Sequence, residues 1–222
     1  MVFEARFNQE RVAEQIEDEN KIRQVEAFLA EMLEDPQQLG GGETAKVLTF
    51  NDQEKQDLCI KLITHPEKAD IPIEQEFQLQ CNAVASGARV PRPIITVSER
   101  EQAFIVMERI RGHSVKDIIE KKLSLPPAFD LEPFILALKQ EVKKLHREDI
   151  YHRDLHLGNI MIEAETGAPV IIDFGSAKEN IFTDQDPYRD QRLGGRETLY
   201  EADEEGIKKC RKEISRYLTE TA

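Results

Sequence analysis

The stretch that most constrains this chain is YHRDLHLGNIMI at Tyr151–Ile162, followed by VIIDFGSA at Val170–Ala177. Asn159–Ile162 and Val170–Ile172 are two short apolar runs around a turn containing Thr166-Gly167. Runs of this length bounded by turn residues read as strands. They carry three oxygen-bearing side chains in a fixed order: Asp154, then Asn159 five residues on, then Asp173. An ordinary polar hairpin loop would require no such order.

That trio suits phosphoryl transfer to a hydroxyl. Asp154 would orient the hydroxyl and accept its proton. Asp173 and the carboxamide of Asn159 would supply hard oxygen ligands for a Mg²⁺ that bridges phosphates. Two weaker signals precede it. LGGGETAKV at Leu39–Val47 sets Gly40, Gly41 and Gly42 ahead of a small Ala45, a G-x-G-x-x-A loop entering a strand. Such a turn lets backbone N–H groups approach phosphate oxygens without Cβ interference. A flexible linker would look the same. No Gly-Lys-Ser/Thr and no strand–loop–helix context follow, so neither a P-loop nor a dinucleotide fold is favoured. Lys61 stands inside the apolar run Leu58-Cys59-Ile60-Lys61-Leu62. Within an interior strand it needs a partner; on a half-exposed strand it would simply face solvent. Glu74 and Glu76 each offer a carboxylate nearby in sequence.

In this order the segments resemble the protein-kinase superfamily: Gly-rich loop, strand lysine, helix glutamate, His152-Arg153-Asp154 loop and Asp173-Phe174-Gly175. FIVMERIRG at Phe104–Gly112 resembles the last strand of the amino-terminal lobe and the hinge of that family. The resemblance runs from Leu39 to about Ala177. It implies an α+β, two-lobed kinase-like fold with nucleotide in the cleft. The expected parts are a helical extension (1–36), a small β-rich lobe with one helix (37–107), a hinge (108–112) and a reduced, mostly helical lobe (113–222). By the same resemblance the cofactors are ATP and Mg²⁺. Lys61 reaches the α- and β-phosphates and pairs with Glu76, preferred over Glu74 because Phe77 and Leu79–Gln80 fit the family's helix pattern. Met107 guards the back of the adenine pocket, Glu108 and Ile110 offer backbone groups to the adenine edge, and Val47, Cys59 and Met161 sandwich the ring. Asp154, Lys61, Asn159 and Asp173 are the catalytic set, and Asn159 and Asp173 hold the metal. His152 and Phe174 pack with the helix, and Arg153 docks an acid or phosphate of the activation segment.

Three departures shape the functional expectation. His156 and Gly158 give DLHLGN, where protein kinases usually place lysine two residues after the aspartate. This resembles aminoglycoside and choline phosphotransferases, and imidazole can hydrogen-bond a transferring phosphate, especially when protonated. Ala45 replaces the third glycine. Little chain follows Gly175 and no Ala-Pro-Glu occurs in it, which resembles the pared-down RIO-type and short bacterial effector kinases. The reading is a minimal Ser/Thr-type protein kinase acting on a protein hydroxyl, with an activating partner completing the small second lobe. The alternatives are a small-molecule kinase and a non-catalytic kinase-like scaffold.

Composition limits the rest. With 40% hydrophobic and 33% charged residues the chain is a soluble globular protein. A net charge of −13 leaves no bulk electrostatic grip on nucleic acid or an anionic membrane. Cys59, Cys81 and Cys210 are scattered, against a disulfide framework or zinc site and in favour of a reducing cytoplasm, the cell's own or a host's. No signal peptide and no apolar window of spanning length is visible. Periodicity predicts a surface helix over about Asn8–Leu33, further helices over Ile71–Ser86, Ser114–Lys122, Leu131–Arg147 and about Ala202–Leu218, and strands at Val47–Phe50, Leu58–Thr64, Ile95–Val97 and Ala103–Met107. Thr183, Tyr188 and Thr198 read as ordinary hydroxyls of a polar segment over Glu179–Tyr200. Its Arg189, Arg192 and Arg196, near Asp184, Asp186 and Asp190, read as mutually paired surface charges, the alternative being recognition of an acidic or phosphorylated partner.

Overall fold

The computed structural model describes residues 23, 36–41, 44–50, 57–99, 102–179 and 195–221. Apart from Arg23, the helix expected over Asn8–Leu33 lies outside the described residues. So do Gly42, Thr183, Tyr188, Arg189, Arg192 and the side chains of Arg196 and Thr198. The chain divides into two compact units. The first comprises the chain up to Phe77 together with Arg92–Arg109, the second Gln78–Pro91 together with Ile110–Ala222. One division, after Arg109, falls inside the stretch expected as a hinge. The grouping of Gln78–Pro91 with the second unit departs from the continuous 37–107 segment read from sequence.

The first unit is built on a five-stranded antiparallel sheet: β1 (Pro36–Gly41), β2 (Ala45–Phe50), β3 (Leu58–Ile63), β4 (Pro93–Glu99) and β5 (Gln102–Glu108), in the order β1-β2-β3-β5-β4. Period-2 alternation explains its core. Leu58, Ile60, Ile95, Phe104 and Val106 are buried together, with Leu48, Leu62, Ile94 and Val97 packed against them. One expectation is corrected here. Gly40 and Gly41 are not loop residues but the end of β1, paired with Val47 and Lys46 of β2 across a register shift after Gln38. The cause is the pairing itself: with Val47 and Lys46 opposite them, the ladder extends through both glycines.

Helix α1 (Ile73–Ala85) begins in the first unit and runs on into the second. The second unit then holds β6 (Gly112–Ser114), α2 (Val115–Lys121), α3 (Leu131–Arg147), β7 (Ile150–Tyr151), β8 (Ile160–Glu163), β9 (Pro169–Ile171), β10 (Lys178–Glu179) and α4 (Gly195–Thr221). The short strands β6, β7 and β10 carry no sequence signal of their own, being two or three residues long. Ser114 caps α2, its hydroxyl accepting the Asp117 N–H at 3.0 Å. Asp130 caps α3 through the Glu132 N–H at 3.3 Å. α3 buries Phe134, Ile135, Leu138, Val142 and Leu145. α4 packs against α3 with Leu199, Asp203, Ile207, Cys210, Ile214 and Tyr217 buried along one stripe. Each fully buried aliphatic side chain contributes about 1.5–3 kcal/mol, so these stripes anchor the loops that precede β8 and follow β9. No helix among the described residues is long and apolar enough to cross a membrane.

Candidate active site

Within the first unit, β3 sends Leu58, Ile60 and Leu62 to the core and therefore Cys59 and Lys61 to the opposite face. Cross-strand partners share a face. Lys61 is paired with Val47 on one side and Ile105 on the other, and Cys59 with Met107. Val47, Cys59, Lys61, Ile105 and Met107 thus line a single sheet face. Ile105 is the member that sequence reading did not single out; only the strand register reveals it. Ahead of them, the position a Cβ would take at Gly40 has no heavy atom of the described residues within 4 Å.

The Lys61 ammonium donates to Glu76 Oε1 at 2.5 Å, with both side chains buried. Glu74, two residues earlier, is exposed. The helical period decides between them: a step of two residues turns the side chain by about 200°, away from the buried face. A buried ion pair is rarely retained for stability alone, because desolvation offsets much of its attraction.

At the end of β5 the Glu108 N–H donates to Arg92 O at 2.8 Å, and the Cys59 thiol lies 3.6 Å from Glu108 O. The Ile110 N–H meets no acceptor among the described residues. Burial pushes the Cys59 thiol up to about 12, with Arg109 pulling the other way. Only the thiolate alkylates readily. Cys59 is therefore expected to stay unmodified by iodoacetamide at mildly alkaline pH in the folded protein and to react fully in denaturant, as peptide mass mapping would show. Rapid native labelling would contradict the burial.

Within the second unit the β8–β9 hairpin brings the remaining groups together. Ile160 pairs with Ile171, and the Ile172 N–H donates to Asn159 O at 3.0 Å. Asn159 and Asp173 therefore sit at the same end of the hairpin. The Asn159 amide donates to Asp154 O at 2.9 Å and to Asp154 Oδ2 at 3.3 Å. That orientation leaves its carbonyl oxygen as an acceptor. Asp173 has φ +66°, the left-handed region, and its Oδ1 accepts the Gly175 N–H at 3.1 Å. An aspartate tolerates this conformation because it can bond the backbone two residues on. Met161 is half-buried, opposite in facing to the buried Ile160 and Ile162.

Residues that sequence reading missed hold this loop. Asp203 of α4 is fully buried. Its Oδ2 accepts the His152 N–H at 3.0 Å and faces His146 Nε2 at 2.8 Å; its Oδ1 accepts the Arg153 N–H at 2.8 Å. Arg153 is itself left-handed, with φ +66°, so Asp203 stabilises a backbone that costs about 1–3 kcal/mol to form. One turn on, Gly206 lets the backbone of Leu155 approach: a Cβ there would stand 2.0 Å from Leu155 O. A carboxylate on the apolar stripe from Leu199 to Ile207 was the signal, obscured by starting the last helix at Ala202. His152 Nε2 donates to Ile172 O at 2.9 Å and its ring lies 5.3 Å from Phe174. Arg153 Nη1 donates to Ser176 O at 3.3 Å, in the segment after Asp173-Phe174-Gly175.

No cluster of three or more His, Cys, Asp or Glu side chains suited to a metal occurs among the described residues. The donor set that is present, one carboxylate and one amide oxygen, nonetheless fits Mg²⁺, which keeps several waters and takes its other ligands from phosphates.

Comparison with known proteins agrees with this chemistry. The protein kinase domain model matches residues 33–194. The chain is 35% identical over 102 residues to the EKC/KEOPS complex subunit BUD32 of Yarrowia lipolytica, covering 38% of this chain and 40% of that one. It is 30% identical over 147 residues to the serine/threonine-protein kinase drp72 of Corynebacterium efficiens, covering 62% and 28%. It is 32% identical over 110 residues to the 3-deoxy-D-manno-octulosonic acid kinase of Vibrio parahaemolyticus, covering 47% and 43%. The chain spans less than half the length of each of these relatives. With a model of the domain matched over more than half its length, and with the loop, hairpin and lysine–glutamate pair in place, the chain belongs to the protein kinase domain family.

Proposed function

We propose that the protein is an ATP- and Mg²⁺-dependent phosphotransferase that acts on a protein hydroxyl, of the Ser/Thr type. The observation that carries this reading is the Asp154–Asn159 hydrogen bond at the end of the β8–β9 hairpin that also carries Asp173. In the second unit, Asp154 Oδ2 is engaged by Asn159, and Asp154 Oδ1 accepts the proton of the acceptor hydroxyl. The deprotonated hydroxyl oxygen of the acceptor attacks the γ-phosphorus, the bond to the β-bridging oxygen breaks, and ADP leaves. The Asn159 carbonyl oxygen and the Asp173 carboxylate would hold Mg²⁺, which supplies charge neutralisation of the phosphates when bound. In the first unit, Lys61, oriented by Glu76, steadies the α- and β-phosphates. Gly40, Gly41 and Gly42 approach them by backbone, Val47, Cys59, Met107 and Met161 contact the adenine ring, and Glu108 and Ile110 read its edge. Catalysis on this scheme is positioning and preorganised charge rather than covalent chemistry.

A second reading has its own support. The relative named as a 3-deoxy-D-manno-octulosonic acid kinase acts on a small molecule by its name, and His156 replaces the usual lysine. Relatives named as EKC/KEOPS complex subunits support a protein partner. Three free cysteines suit a reducing cytoplasm.

The test is radiolabelled ATP with Mg²⁺ and a panel of casein-like proteins, sugars, aminoglycosides and choline. Label on protein, the chain itself included, that vanishes when Asp154 becomes Ala supports the protein-kinase reading. Label on a small acceptor alone transfers it to the second. Neither ATP binding nor transfer leaves a kinase-like scaffold.

A further inference from the structure

We propose that His156 is a positioning residue for Asp154: a backbone hydrogen bond at Nδ1 sets its proton on Nε2, and that N–H holds Asp154 Oδ2 so that Oδ1 faces the acceptor. The inference rests on the phosphotransferase reading above.

The Gly158 N–H donates to His156 Nδ1 at 2.9 Å. A ring nitrogen that accepts a hydrogen bond carries no hydrogen, so the neutral imidazole bears its proton on Nε2. That nitrogen stands 3.7 Å from Asp154 Oδ2. The distance exceeds a formed hydrogen bond, but contacts of this kind tighten when substrate binds. Asn159 reaches the same oxygen at 3.3 Å. With both donors directed at Oδ2, Oδ1 has no partner among the described residues, and the carboxylate is half-exposed.

Gly158 completes the device. A Cβ at this position would stand 2.7 Å from His156 Cε1 and 3.0 Å from Nδ1. The imidazole therefore fills the space that any other side chain would claim. A lysine at 156 could not serve in the same way. It has no acceptor for the Gly158 N–H. Histidine alone offers an acceptor to the loop and a donor to the carboxylate from one rigid ring.

Two measurements on the full chain decide it. Long-range ¹H–¹⁵N correlation in alkaline buffer should show His156 with a protonated Nε2 and a bare Nδ1; the opposite tautomer overturns the proposal. Steady-state transfer from ATP then separates the two ring positions. His156→Asn keeps an acceptor near Nδ1 but has no donor at the depth of Nε2. His156→Gln places an amide N–H at that depth. We expect kcat for His156→Asn to fall about 100-fold with KM for ATP little changed, and His156→Gln to turn over at least about tenfold faster than His156→Asn. Wild-type turnover in His156→Asn, or no advantage of Gln over Asn, overturns the proposal while leaving the phosphotransferase reading intact. A wild-type chain that transfers nothing from ATP defeats both.

Discussion

Lys61→Met is expected to lower phosphoryl transfer by about 10²–10³-fold and to destabilise the protein by about 3–5 kcal/mol. The two losses have separate causes. Transfer falls because the ammonium that steadies the phosphates is gone. Stability falls because Glu76, buried beside it, loses the cation it faces. A buried carboxylate that loses its counter-charge is destabilising, through desolvation of the charge or through the proton it must take up. The double variant Lys61→Met/Glu76→Leu removes both charges and fills the volume. It should recover wild-type stability or exceed it by about 1–4 kcal/mol and remain inactive. Urea denaturation and ATP transfer on the wild type and the two variants supply the comparison. A fully active, fully stable Lys61→Met would remove the pair from the mechanism. A double variant that regains transfer would make the lysine structural only.

Gly206→Ala is expected to abolish most transfer, by about 100-fold or more, through a residue with no side chain. In an exposed helix interior glycine to alanine gains about 1 kcal/mol. Here the sign reverses. The added methyl would stand 2.0 Å from the carbonyl oxygen of Leu155, and both atoms belong to backbone. Either α4 or the loop must shift by an ångström or more, and the residue before Leu155 is Asp154. A displacement of that size costs about 100-fold in rate, and overpacking adds about 1–3 kcal/mol of instability. Asp203→Asn should behave similarly for a different reason. Asp203 accepts at both carboxylate oxygens, from the backbone N–H groups of His152 and Arg153. An amide puts a donor against one of them, and a buried donor left unsatisfied costs about 1–3 kcal/mol. Circular dichroism, thermal melts and turnover distinguish a displaced loop from global unfolding. An active, stable Gly206→Ala would show that the close approach is not needed.

The groups proposed to carry the chemistry are legible in order along the chain. Asp154, Asn159 and Asp173 lie in short loops beside apolar runs, and their residue types and spacing state their potential directly. The contest between Glu74 and Glu76 is also open to sequence, since one helical period buries only one of them. The limits are equally specific. Gly40 and Gly41 read as a loop because glycine signals turns, yet pairing with Lys46 and Val47 draws them into β1. Ile105 joins the face of Lys61 only through the register of β3 with β5. For His156 the residue type offers a hydrogen bond to the transferring phosphate, and only the folded loop shows its Nδ1 accepting the Gly158 N–H, the contact behind the role proposed above.

What the amino-acid order alone pointed to was the kinase family, because its marks are residue types at fixed local spacings. What the tertiary structure decided was which of 43 acidic residues holds the His152–Asp154 loop, and why a glycine stands one turn beyond it. Asp203 and Gly206 look like ordinary members of a charged helix until packing brings α4 against backbone about fifty residues earlier. Burial and close approach are properties of pairs of segments, and a linear pattern read one segment at a time does not contain them.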